Sequence, residues 1–217
     1  MSDYKVWIPF VNRVDMLWRA VASVSDVHDQ VAIIDNSKEG LEGKHGDPQI
    51  IRPLCPITFS ETQNCILAMT RKLGANICVF MHSDAEAGHG VIMGLISLAR
   101  RYTKEGRKWG VIFTAYDALA AFNVEAFESI GGWDEQFTWY GADQDTYRRI
   151  KLAGYELIDS GLPVYHEPSQ TLKADPEIRR RVDEGFTERE SYYRAKWGGP
   201  AGAEIFTKPF NSDGSLK

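Results

Sequence analysis

Apolar positions recur along this chain in two rhythms. Short runs predict strands: Tyr4–Phe10, Gln30–Asp35, Gln49–Leu54, Ala75–Met81 and Trp109–Tyr116. They are rich in β-branched and aromatic residues, and turn-forming stretches such as residues 36–48 separate them. Between them the spacing changes. Leu17, Ala20, Val21 and Val24 stand at i, i+3, i+4 and i+7, the stripe of an amphipathic helix. Ser60-Glu-Thr-Gln63 has the form of a capping box and predicts a helix that stops at Gly74. Another helix is predicted near Val91–Tyr102. Strands alternating with helices predict an α/β layer fold on a largely parallel sheet. Ligands of such sheets bind beyond the carboxyl ends of the strands. Asp35 and the segment after Met81 lie at two such ends.

The last third reads differently. Residues 123–171 mix short helical segments, glycines and aromatics around a late strand near Tyr155–Gly161. Asp175-Pro176 predicts a helix start, with Asp as N-cap and Pro in the first turn. Thr187-Glu-Arg-Glu190 has the form of a second capping box, and Gly198-Gly199 ends that helix. The tail from Ala203 to Lys217 is expected to be extended. With no repeat and no separating linker, residues 1–217 are expected to form one domain.

Composition narrows the class. The chain has 217 residues, 43% apolar and 25% charged, enough for one soluble domain with a full core. No apolar run approaches the roughly 20 residues a membrane helix needs. The first ten residues lack the pattern of a secretion signal. Cys55, Cys65 and Cys78 are odd in number and unpaired in spacing, so they read as reduced thiols of a cytoplasmic protein. The net charge of −5 gives no global attraction to nucleic acid or anionic lipid.

The candidate chemistry is acidic. In an extended segment Asp84 and Glu86 point to one side, where two carboxylates could share a hard divalent cation such as Mg²⁺ or Mn²⁺. A solvated turn before a helix N-terminus explains them as well. Asp143 and Asp145 stand at the start of an amphipathic helix, where one acid suffices for the cap. Trp133, Trp139 and Tyr140 could wall a sugar or simply fill the core. His166 follows the late strand as a lone histidine, more often structural than a ligand. Phosphate-binding glycine loops, a serine nucleophile elbow and zinc-spaced Cys/His clusters are missing.

As a set, these segments resemble the nucleotide-sugar glycosyltransferases of the GT-A fold, family 2 type. Lys5–Val24 is similar to that family's first strand, Pro-containing loop and helix, and Val31–Gly40 to its second strand and acidic turn. Ser60–Glu86 resembles its helix, strand and Asp-x-Asp segment. Phe127–Leu157 resembles its Gly-Gly-Trp-Asp-Glu and Glu-Asp-x-Asp region, and Val164–Ser169 its late histidine segment. The resemblance implies a GT-A, Rossmann-like mixed sheet, largely parallel and flanked by helices, with a C-terminal helical extension. It divides the chain into a nucleotide-sugar half (1–115), an acceptor and catalytic half (116–172), and an extension with tail (173–217).

It also implies roles. Asp84 and His166 would hold a divalent cation, Mn²⁺ or Mg²⁺, with Glu86 as a further candidate. Pro9, Phe10, Asn12, Asp35, Asn64 and Asp84 would meet the donor, with a UDP-sugar favoured. Asp143 would be the general base of an inverting single transfer. Trp133, Asp134, Trp139, Tyr140 and Asp145 would meet the acceptor: a saccharide, a protein or a hydroxymethylated DNA base. Two departures stand out. His82 replaces the first acid of Asp-x-Asp, and Ala142 replaces a Glu. They keep open a non-catalytic nucleotide-sugar-binding module. Arg179, Arg180, Arg181, Arg194 and Lys196, interleaved with Tyr192, Tyr193 and Trp197, could hold DNA or could pack as charged helices on the core.

Overall fold

The computed structural model describes residues 2–214, so the final three residues of the predicted tail lie outside the described ones. Strands β1 (Tyr4–Phe10), β2 (Val31–Asp35), β3 (Gln49–Ile51) and β4 (Ile77–Met81) form within the apolar runs. β3 ends earlier than its run, because Pro53 has no N–H for the ladder. β5 (Ala85–Ala87) is a short addition after the β4 turn. β6 (Trp109–Thr114) is followed, after one residue, by β7 (Tyr116–Asn123), which the sequence reading did not separate from it. β8 (Glu156–Asp159) and β9 (Val164–His166) complete the strands.

Seven strands make one sheet in the order β3-β2-β1-β4-β7-β6-β8. β7 runs antiparallel to both β4 and β6, and the remaining pairs are parallel. The sheet is thus mixed and largely parallel, as expected. Its strands read as continuous apolar runs because both faces are covered. Alternation sends Val6, Ile8, Ile33, Val79 and Met81 to one face. Helices α1 (Val14–Ser23) and α3 (Val91–Lys104) pack there. Trp7, Ile34, Cys78 and Phe80 go to the other face. There they meet α2 (Phe59–Lys72), α4 (Val124–Ser129) and α5 (Ala142–Leu152). Short α6 (Gln170–Ala174), α7 (Pro176–Glu184) and α8 (Phe186–Trp197) form the C-terminal extension. Tyr193 and Trp197 anchor α8 in the second core.

Two expected helix starts shift. The capping box of α2 is Thr58 with Glu61: the Thr58 hydroxyl accepts from the Glu61 amide at 3.3 Å, and the Glu61 carboxylate accepts from the Thr58 amide at 2.7 Å. Ser60 lies inside the helix instead and donates to the Phe137 carbonyl. The second box, at Thr187, does not form. Gly185 alone separates α7 from α8, so α8 begins at Phe186 without a side-chain cap. Asp175 does cap α7, accepting from the amides of Glu177 and Ile178.

Thr58→Ala should therefore cost about 1 kcal/mol of stability, whereas Thr187→Ala should cost less than about 0.5 kcal/mol. Urea midpoints of the two variants against the parent check this.

Candidate metal and transfer site

The site is built where β4 stops. The His82 amide donates to the Ala118 carbonyl at 2.9 Å, which holds the strand end against the start of β7. The chain turns through Ser83 and Asp84 into β5, and β5 pairs with β9 in a separate small sheet. In that register Ala85 faces His166, and the Glu167 amide donates to the Asp84 carbonyl at 3.0 Å. Two segments far apart in sequence thus place His166 beside Asp84.

The side chains converge. Asp84 Oδ1 lies 3.2 Å from His166 Nε2 and 3.6 Å from His82 Nδ1. One ligand atom from each of the three residues lies within 4.8 Å of the others. The two imidazoles meet edge to face at 5.3 Å. Asp84 Oδ2 accepts from the Gln170 amide at 3.3 Å. Burial pushes the Asp84 carboxyl up, but the facing His166 and His82 imidazoles outweigh it and hold the group far below the usual carboxylate range. Glu86 does not join this group. Its carboxylate is taken by Arg19 of α1, which also reaches Glu167 at 3.2 Å. The β5–β9 pairing turns it out of the cluster.

Asp143 stands in the first turn of α5, after Gly141, whose φ of 87° is a left-handed conformation that suits glycine. The Tyr116 hydroxyl donates to Asp143 Oδ2 at 2.5 Å. Tyr116 itself holds a φ of 53°, rare for a bulky residue, at the turn joining β6 to β7. Burial and the Asp143 carboxylate both raise its phenol pKa, so it stays a donor. Next to it, Asp117 is buried and accepts from the Tyr147 hydroxyl at 3.2 Å. Burial raises the Asp117 pKa, nearby His82 opposes the rise, and Asp143 adds to it. Asp117 thus links the imidazole group to Asp143 along one edge of the sheet. A groove of about 650 Å³, lined by Thr114, Tyr116, Gln144, Arg148 and Lys151 among others, starts beside Asp143.

Other residues marked in the sequence are engaged elsewhere. Asp145 is fully buried: Oδ1 accepts from Trp197 Nε1 at 2.9 Å and Lys196 Nζ at 2.8 Å, and Oδ2 from Arg149 Nε at 2.8 Å. Asp134 accepts from Lys196 and Tyr192 of α8. Trp133 packs against Phe59 and Phe127 inside the core. Asp145 and Trp133 are thus engaged in the core, and the partly buried Asp134 is held by α8. Trp139 is half-buried and Tyr140 exposed, its ring against Phe186.

Among the residues expected on the donor side, Asn64 is engaged with the chain itself. Its amide clasps the main chain of Trp133, accepting from N at 2.7 Å and donating to O at 3.0 Å. Gly132 permits this, because a Cβ there would stand 2.6 Å from Asn64 Oδ1. Phe10 points into the core, and only its carbonyl is offered, to the Asn36 amide at 2.7 Å. Pro9 is half-buried in β1. Asn12 donates to the Thr171 carbonyl at 3.1 Å, tying the β1–α1 loop to α6. Asp35 does end β2 at the sheet's carboxyl edge, but it turns into its own loop. It accepts from the Ser37 amide and hydroxyl and from the Leu41 amide. Burial raises its pKa; the Ser37 hydroxyl, the Leu41 and Ser37 amides and Arg52 outweigh it and hold the carboxyl below its ordinary value.

Sequence reasoning missed His82 as a potential ligand, although its i, i+2 spacing to Asp84 was visible. It also missed Tyr116 and Asp117, a polar pair interrupting the apolar stretch between Trp109 and Phe122. Four arginines of α7 and α8 are paired within their own helices, Arg179 with Asp183, Arg180 with Glu177 and Glu184, Arg181 with Glu177, and Arg194 with Glu190, whereas Arg189 donates to the Val182 carbonyl of α7.

The fold is of the GT-A type, as in nucleotide-sugar glycosyltransferases. No protein-family model and no curated protein matches the chain. Among solved structures, it is similar to glucosyl-3-phosphoglycerate synthase from Mycobacterium tuberculosis in complex with Mn²⁺, uridine diphosphate and glucosyl-3-phosphoglycerate. The two share 14% identity at a TM-score of 0.53, over 86% of this chain and 79% of that one. S. aureus TarS 1–349 is similar at 9% identity and a TM-score of 0.55, over 89% of this chain and 70% of that one. A cytidylyltransferase from Leptospira borgpetersenii is similar at 6% identity and a TM-score of 0.54, over 95% of this chain and all of that one. At these identities the likeness is one of fold.

Burial separates the two acids of α5. Asp145→Ala should destabilise the protein by about 3–5 kcal/mol, because it leaves the part-buried Arg149 without its carboxylate and the buried Lys196 with Asp134 alone. Asp143→Ala should change stability by less than about 1 kcal/mol. Thermal and urea melts of both variants decide this. For Asp35, a folded-state pKa below the unfolded value of about 3.9 means that the stabilisation is present above that pH and is lost as pH falls through the folded value. Asp35→Asn should therefore be less stable than the parent at pH 7, and the gap should narrow at pH 3. Equal gaps at both pH values would contradict the assignment.

Proposed function

We propose that this protein is a metal-dependent glycosyltransferase that moves one sugar from a nucleotide-diphosphate sugar, with a UDP-sugar favoured, to an acceptor hydroxyl with inversion. One observation carries the reading: Asp84, His166 and Asp143 stand along one edge of a GT-A sheet, with Asp117 and Tyr116 between them. Asp84 and His166 would hold a divalent cation. The donor set fits one, since an ionised carboxylate and a buried imidazole nitrogen without a hydrogen-bond partner face each other. Such an ion would supply Lewis-acid stabilisation of the negative charge that builds on the leaving diphosphate. Asp143 would take the proton of the attacking hydroxyl, on the opposite side of the sugar from the leaving diphosphate. The Tyr116 hydroxyl, by donating to Oδ2, would orient that carboxylate and leave Oδ1 to accept from the acceptor hydroxyl.

The groove beside Tyr116 and Gln144 has the volume for a sugar-sized acceptor. The paired arginines of α7 and α8 weigh against a DNA acceptor, since phosphate contacts would first have to break the intrahelical pairs. The likeness to a cytidylyltransferase raises nucleotidyl transfer as a second reading. The short Val11-Asn12-Arg13 connection disfavours it, because it has no glycine and Arg13 is tied to Asp15 and Gln170.

Incubation with a panel of UDP-sugars, Mn²⁺ and hydroxylic acceptors should release UDP. Asp84→Ala and Asp143→Ala should each slow release at least about 100-fold, the scale on which positioned acid–base groups contribute. Release from both variants at the parent's rate would exclude the proposal. Pyrophosphate from CTP and a sugar phosphate would favour the second reading.

A further inference from the structure

Imidazole and carboxylate do not favour the same ions. Carboxylate, carbonyl and water suit Mg²⁺, Ca²⁺ and Mn²⁺, whereas imidazole suits Zn²⁺ and its borderline neighbours. Mg²⁺ in particular demands oxygen ligands in near-ideal octahedral geometry. A site with two imidazoles and one carboxylate is therefore not neutral about what it holds.

His82 is placed to make this site one of that kind. Three donors each about 2.1 Å from one ion stand roughly 3.0–3.5 Å from one another. Asp84 Oδ1 is already 3.2 Å from His166 Nε2 and 3.6 Å from His82 Nδ1. The backbone fixes both histidines. His82 is pinned by its amide bond to Ala118 at the end of β4, and His166 by the β9 register opposite Ala85. His166 Nε2 is buried and makes no hydrogen bond, despite its short distance to the carboxylate. A buried polar atom left in this way calls for a partner. Glu86 and Glu167 do not compete for the position, because Arg19 takes both.

We propose that His82 is a third metal ligand. With Asp84 and His166 it makes a two-imidazole, one-carboxylate site that selects Mn²⁺, Co²⁺ and Zn²⁺ over Mg²⁺. The inference rests on the metal-dependent reading above and deepens it: the place where an acid would favour hard ions carries an imidazole instead. The remaining coordination positions stay open for water or for the oxygens of a diphosphate.

The test uses the full chain, stripped with a chelator, and the metal salts alone. Co²⁺ is titrated by calorimetry and by its visible absorption, and Mg²⁺ is then added as competitor. One Co²⁺ should bind per chain, with visible bands reporting nitrogen ligands, and Mg²⁺ should displace it only at a concentration at least about 100-fold higher. His82→Asp should lower the Co²⁺-over-Mg²⁺ preference at least about tenfold, the scale on which even outer partners of a metal act. His82→Gln should weaken Co²⁺ similarly without any gain in Mg²⁺, and circular dichroism of both variants reports that they fold. Mg²⁺ competing on equal terms with Co²⁺ in the parent would overturn the proposal, and so would a preference unchanged in both variants. No donor is present, so the outcome is separate from transfer. Selective Co²⁺ binding without UDP release in the earlier assay would leave the ion site standing and remove the transferase. UDP release equally fast with Mg²⁺ would do the reverse.

Discussion

The site depends on the direction of one strand. β7 runs antiparallel between β4 and β6, so it begins where they end. A parallel strand in that place would carry its first residues to the opposite edge of the sheet. Reversed, it delivers Tyr116 and Asp117 to the edge where β4 releases His82 and Asp84. The cost is visible at Tyr116, which takes a left-handed backbone so that two strands can turn on one residue. That same conformation carries its hydroxyl to Asp143. The turn that closes the sheet and the contact that aims the candidate base are one feature.

A second constraint fixes the opposite side of the site. α5 presents two acids one residue apart, and their surroundings divide the work. Asp145 faces the core and neutralises Arg149 and Lys196. Asp143 is half-buried and accepts from the phenol of Tyr116, which lines the groove. The two could not exchange roles: a carboxylate buried without cations would be too costly to keep charged, and an exposed one has no need of three donors. Burying the ionic group sets the rotation of α5, and that rotation leaves Asp143 at the edge.

Much of this was legible in the sequence. β1, β2 and β4, buried on both faces, gave continuous apolar runs. The order of motifs carried the GT-A expectation, and Asp84, His166 and Asp143 could be marked by it. What stayed hidden depends on tertiary pairing. A three-residue strand such as β5 or β9 has no periodicity of its own, so no local rule brings His166 to Asp84. Asp145 and Asp143 look alike in sequence, and only the arrival of Lys196 and Trp197 from α8 separates them. The capping boxes at Ser60 and Thr187 failed for a similar reason. The pattern is common enough that the true start of α2, at Thr58, and the α7–α8 junction had to be set by packing.

The C-terminal extension follows from the same ionic group. Its arginines looked like a surface for a polyanion, but their charges close within the helices that bear them. Two cations of α8 are buried: Arg189, which donates to the Val182 carbonyl, and Lys196, which meets both Asp134 and Asp145. Those acids lie on either side of the Trp139–Gly141 turn that precedes α5. A single buried ammonium therefore ties together the loop before α5, the helix that carries Asp143, and α8. Tyr192 adds a second bond to Asp134, and Trp197 a second to Asp145. With this duplication, losing either aromatic donor leaves the ion pair in place, whereas losing the lysine leaves two carboxylates facing each other. On this geometry the extension acts as a fastener for the α5 side of the candidate site, with Tyr193 and Trp197 set in the core.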